Sequence, residues 1–147
     1  MAGSSGNPYT RQGHAPPPGL EDGRASRQKA RACGLSPNHW YIVDYAGALR
    51  PGQTKEIVFW RRSIALYRGD DGVYRAIENC CAHRQVKLSA GEVQGCRLTC
   101  MYHGWTYEGD GKLAGHPHET FGRPLPRLRL ASFPVQVRYG MVWLFPG

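Results

Sequence analysis

Two short clusters of metal-binding side chains stand out in the sequence. They are Cys81-Ala82-His83-Arg84 and, sixteen positions on from Arg84, Cys100-Met101-Tyr102-His103-Gly104-Trp105. Each offers one thiol and one imidazole. A structural zinc site usually pairs Cys with Cys over two to four residues and His with His over three to five, closing one tetrahedron. A Cys-x-His segment wraps poorly around a single ion. The alternation suits a two-metal unit, with each cluster of residues reaching across both metals.

The segments around these clusters must hold them face to face. Trp40 to Val43, Glu56 to Trp60, Ile64 to Arg68 and Val73 to Ile77 read as strands, the last delivering the chain to Cys81. Gly69-Asp70-Asp71-Gly72 is a hairpin turn, because Gly and Asp tolerate the positive φ that such turns need. Asp44 to Leu49 is expected to form one helical turn, ended by Pro51-Gly52. Gly91 to Val93 and Cys96 to Thr99 form a hairpin around Gln94-Gly95, returning the second cluster to the first. Trp105 to Tyr107 and Lys112 to Ala114 flank the turn Glu108-Gly109-Asp110-Gly111. His116 to Arg127 is a Pro-rich loop, and Phe133 to Arg138 with Met141 to Phe145 close the chain as a hairpin about Tyr139-Gly140. Many short strands with close turn signals predict an all-β sandwich or small barrel.

Composition sets the bounds. The 147 residues divide into a Gly-, Pro- and Ser-rich segment over 1–36 and one domain over 37–147. With Pro16-Pro17-Pro18 and few large apolar side chains, the first segment cannot offset its ordering entropy and is expected to be a disordered tail, with one basic helical turn permitted between Leu20 and Leu35. There is no run of 18 apolar residues and no signal-type stretch, so neither a transmembrane helix nor export is expected. Five cysteines (33, 80, 81, 96 and 100) are an odd number, which fits metal ligation in the reducing cytoplasm better than a disulfide framework. The net charge of +8, of which +5 lies beyond residue 36, suits an acidic redox partner or simply a solvated surface. Nucleic-acid binding would want basic residues clustered with stacking aromatics, whereas the aromatics here sit in strand-like runs.

Cys-x-His, sixteen residues, then Cys-x-x-His-Gly-Trp closely resembles the Rieske domain of non-haem iron oxygenases. Asn38-His39-Trp40-Tyr41, Leu88-Ser89-Ala90-Gly91-Glu92 and Tyr139-Gly140-Met141-Val142-Trp143 agree with that family, so the resemblance runs from about Asn38 to Pro146. It implies a Rieske-type antiparallel fold with a two-loop cluster-binding subdomain and a [2Fe–2S] cluster. Cys81 and Cys100 would bind one iron as thiolates, and His83 and His103 the more exposed iron as neutral imidazoles. Ala82 and Met101 stand where the family often has Pro, and Gln85 where it usually has Gly. Because Pro and Gly fix or free the backbone, these departures bear on loop rigidity.

Replacing two thiolates by neutral imidazoles makes such a cluster less negative and raises its potential. High-potential respiratory Rieske proteins add a disulfide between the loops; Val86 and Tyr102 stand at those positions, so the resemblance implies the lower-potential class. Arg84 is a candidate for charge stabilisation and Trp105 for shielding the cluster from water. Cys33, Cys80 and Cys96 are read as spectators. His116 and His118 are read as surface histidines in preference to a metal pair.

Oxygenases resembling this chain act at a second, mononuclear iron held by two His and one carboxylate in a separate domain. No histidine follows His118, so this chain is expected to supply no catalytic oxygenase residues and to be an oxidoreductase component, the electron-entry part of such an enzyme. A flavin reductase or ferredoxin would be its donor and a mononuclear-iron oxygenase domain or subunit its acceptor, in a homotrimer if it is part of a full α subunit. A free-standing Rieske ferredoxin and a non-redox or zinc module with the same fold are the alternatives.

Overall fold

The computed structural model describes residues 24–26, 29, 38–59, 62–117, 121–122 and 124–147. The chain divides into two units, Met1–Ser36 and Pro37–Gly147. In the first, the Lys29 amide donates to the Ala25 carbonyl at 2.9 Å, the i to i−4 bond of one helical turn. The rest of the expected tail, with Cys33, lies outside the described residues.

Among the described residues the second unit carries eleven strands: β1 (Tyr41–Tyr45), β2 (Thr54–Phe59), β3 (Arg62–Arg68), β4 (Tyr74–Glu78), β5 (Glu92–Gln94), β6 (Arg97–Thr99), β7 (Thr106–Tyr107), β8 (Leu113–Gly115), β9 (Ser132–Phe133), β10 (Val135–Arg138) and β11 (Met141–Leu144). They form three antiparallel sheets, ordered β1-β11-β10, β2-β3-β4-β9 and β5-β6-β7-β8. The fold is all-β, and no helix among the described residues is long and apolar enough to cross a membrane.

The middle sheet explains the apolar run Ile64-Ala65-Leu66-Tyr67. Successive strand side chains point to opposite faces. Ile64 and Leu66 enter one core with Ile57, Ala76, Phe133, Val142 and Leu144, while Ala65 and Tyr67 enter another with Ile77, Leu98, Tyr107 and Leu113. A strand covered on both faces reads as continuous rather than alternating apolar sequence. The second core also contains Cys81 and Cys100, so the candidate ligand thiols are part of the packing that joins sheets β2-β3-β4-β9 and β5-β6-β7-β8.

One local expectation fails. Asp44 and Tyr45 do not open a helical turn but continue β1, paired with Val142 and Met141 of β11. The chain then reverses through a tight turn in which the Ala48 amide donates to the Tyr45 carbonyl at 3.1 Å. Pairing with β11 satisfies backbone groups that an isolated helical turn of six residues would leave open.

Candidate metal centre

The four candidate ligands lie on two loops that leave the second core. The first, Cys81 to Val86, follows β4; the second, Cys100 to Trp105, joins β6 to β7. Both are closed by the same backbone frame. Cys81 N donates to Val86 O (2.9 Å) and Gln85 N to Cys81 O (2.8 Å); Cys100 N donates to Trp105 O (2.8 Å) and Gly104 N to Cys100 O (3.0 Å). The fifth residue of each loop is left-handed, Gln85 at φ 56° and Gly104 at φ 66°.

Buried Asn79 ties the first loop down. Its Nδ2 donates to Ser63 Oγ (2.8 Å) and Ser89 Oγ (2.9 Å), and its Oδ1 accepts from the Ser89 amide (2.6 Å). Lys87 adds a 2.9 Å ion pair to Glu56, whose carboxyl is held below its usual range by Lys87 and then Ser63. The second loop is flanked by the Thr99–Thr106 hydroxyl pair at 3.1 Å. It is also packed by Pro117, whose Cγ lies 3.1 Å from where a side chain on Gly104 would begin.

These frames hold two kinds of donor. Cys81 and Cys100 are buried. The His83 and His103 rings have centroids 4.8 Å apart and planes at 59°. His103 is exposed and His83 half-buried. Trp105 lies nearly parallel to His83, stacked on its imidazole at 4.9 Å and 8°. Arg84 is exposed.

Each sulfur meets donors. Burial pushes the Cys100 thiol up, against the lowering effect of the Tyr102 and His103 amides. Tyr107 Oη lies 3.3 Å from Cys81 Sγ and accepts the Ala82 amide at 3.1 Å. Burial, then the bond to Cys81, raises the Tyr107 pKa well beyond the ordinary tyrosine range, which keeps this hydroxyl a donor. Sequence reasoning treated Tyr107 only as a strand residue. Its signal is its spacing, two residues beyond Trp105 on the strand that leaves the second loop.

His116 corrects another expectation. It is buried rather than on the surface, and its ring stacks on Trp105 at 5.6 Å and 28°. β8 ends one residue earlier and turns the side chain onto the second loop. His118 lies outside the described residues. Cys80 is half-buried, its thiol pushed up by burial and then by Glu78, and Cys96 is exposed; the four described cysteines are all free thiols.

The donor set fits a [2Fe–2S] unit. Among the described residues no three His, Cys, Asp or Glu side chains gather around one point as ligands of a single ion. A two-iron unit asks for something different: two thiolates on one side and two imidazoles on the other. The two buried thiols and the imidazole pair provide those donors.

The comparisons agree with the geometry. The chain belongs to the Rieske [2Fe–2S] domain family, which matches residues 39–134. Its cofactor is a Rieske-type [2Fe–2S] cluster, and its chemistry is electron transfer through that cluster. It is 45% identical over 123 residues to the 4β-methylsterol monooxygenase of Methylococcus capsulatus, covering 82% of this chain and 33% of that protein. It is 36% identical over 114 residues to the dicamba O-demethylase oxygenase component of Stenotrophomonas maltophilia, covering 75% of this chain and 32% of that protein. The crystal structure of dicamba monooxygenase with non-heme iron and dicamba superposes with a TM-score of 0.69 at 33% identity, over 76% of this chain and 33% of that one. The chain thus spans about a third of the length of these relatives.

Proposed function

We propose that Cys81, Cys100, His83 and His103 hold the cluster, and that the chain is the electron-entry part of a Rieske-type oxygenase. The observation that carries this reading is the donor set itself: two buried thiols and two imidazoles 4.8 Å apart, one of them exposed, on two matching loops. The cluster supplies a site for one electron at a time. Cys81 and Cys100 bind as thiolates, so loading releases their protons. The amides of Tyr102 and His103 and the hydroxyl of Tyr107 donate to these sulfurs and favour the more negative reduced state. Trp105 and the core behind it keep water from the sulfur side.

The His103 edge, flanked by exposed Met101 and Tyr102, is the face at which an electron leaves for a mononuclear iron in an oxygenase domain or neighbouring subunit. A flavin reductase or ferredoxin supplies it. The relatives' names support an oxygenase context; the free cysteines support a cytoplasmic one. Anaerobic reconstitution followed by reductive titration tests the assignment. Uptake of about one electron per bound [2Fe–2S] unit is expected, with visible bands that bleach on reduction. A colourless zinc protein with no electron uptake would contradict it.

A further inference from the structure

Three cations stand around one surface groove with a single carboxylate to answer them. The segments 111–113 and 128–130 form a two-stranded ribbon: the Leu113 amide donates to the Leu128 carbonyl at 3.1 Å, and the Leu130 amide to the Gly111 carbonyl at 2.9 Å. Between these bonds Lys112 sits directly opposite Arg129. A pair flanked by ladder bonds but not joined by them has the closer side-chain approach, and like charges so placed repel. Arg127 adds a third cation from a three-residue turn, closed by the Leu128 amide on the Pro126 carbonyl at 2.9 Å. All three line a groove of about 310 Å³ whose apolar wall includes Leu113, Leu125 and Leu128. Asp110 pairs with Arg129 at 3.0 Å. Among the described residues Lys112 and Arg127 have no acidic partner.

We propose that this groove is the docking site of the electron donor, and that the donor is an acidic ferredoxin whose carboxylates pair with Lys112, Arg127 and Arg129. The inference deepens the electron-entry reading above and rests on it. Opposed like charges are unfavourable in the free chain and are relieved by a partner's anions, so the repulsion favours the bound state. An open, partly apolar groove fits a protein surface better than a small ligand, which is normally enclosed. Its position fits electron entry. Leu113 pairs with Tyr107 across the sheet, and Leu113, Leu125 and Leu128 pack against the core that holds Cys81 and Cys100. No lining residue belongs to either cluster loop, so the donor's seat is distinct from the His103 edge proposed for the acceptor.

The test is stopped-flow reduction of the reconstituted holoprotein by a photoreduced, acidic plant-type [2Fe–2S] ferredoxin, with dithionite as the small reductant, at low and high ionic strength. Ferredoxin should reduce the wild type fastest at low salt. Lys112→Glu/Arg127→Glu should slow that reaction by about tenfold and flatten its salt dependence. Lys112→Gln/Arg127→Gln should do the same at smaller amplitude. Arg50→Glu/Arg138→Glu makes the same change in net charge at exposed residues outside the groove, and should leave the low-salt rate within about twofold of wild type. Equal slowing by both reversals would trace the effect to whole-molecule charge and overturn the site. So would an unchanged rate in the groove variants, or a wild type reduced by dithionite but by ferredoxin at no salt concentration. Equal slowing with dithionite in the groove variants would reduce the effect to attraction of small anions and also overturn docking. A wild-type cluster that dithionite fails to reduce would instead overturn the electron-transfer reading beneath it.

Discussion

The two cluster loops are built alike and finished differently. Each starts at a buried Cys, closes through the same pair of backbone hydrogen bonds, and turns at a left-handed fifth residue. The His comes two residues after the Cys in the first loop and three after it in the second. Despite that offset the two imidazoles meet, with ring centroids 4.8 Å apart. The finishing differs in three places. Gln85 stands opposite Gly104 at the left-handed position, and Val86 opposite Trp105 at the end of the loop. The sulfur of the first loop meets a phenol from β7, whereas that of the second meets amides of its own loop. The second loop is packed from outside by Pro117 and His116, whereas the first leans on its surroundings through Asn79, Tyr107 and Lys87.

Breaking the second loop should therefore cost most. Gly104→Ala places a side chain in a left-handed residue that also faces Pro117. It is expected to lose about 1–2 kcal/mol, read as a lower urea midpoint with unchanged slope, and to load less cluster. Making the first loop more like the second should have the opposite sign. Gln85→Gly relieves a left-handed non-glycine residue, and after glycine's own entropy cost a gain of about 0.5–1 kcal/mol remains; unchanged or lower stability would show that the frames are not equivalent.

Much of this was legible because loops and turns announce themselves. The spacing of Cys81, His83, Cys100 and His103 pointed to a two-metal unit, and the Gly-Asp turns located the hairpins. Other features depend on partners distant in sequence. β1 runs to Tyr45 only because β11 returns beside it, and nothing near Asp44 signals that pairing. Tyr107 and His116 look like an ordinary strand residue and a loop histidine until the sheet β5-β6-β7-β8 folds them onto the loops. The departures were visible, but their consequences were not: Gln85 keeps the left-handed turn, and Ala82 gains a hydrogen bond that proline cannot make.

The smallest expected effect concerns the anchor peculiar to the first loop. The Glu56 pKa is lowered in the folded chain, so its contribution is present above the usual carboxylate value of 4.5 and is lost as pH falls through the lowered one. Glu56→Gln should cost less than about 1 kcal/mol at pH 7, since Lys87 is exposed and Glu56 only half-buried. The gap from wild type should close on acidification. A gap that persists at low pH would assign the effect to packing.

The assignment of two sulfurs and two imidazoles as ligands is tested most directly by nitrogen hyperfine spectroscopy on the dithionite-reduced, reconstituted protein. Two coordinated imidazole nitrogens are predicted, with one lost in each of His83→Cys and His103→Cys. A reduced cluster without nitrogen couplings, or couplings unchanged by both substitutions, would contradict it.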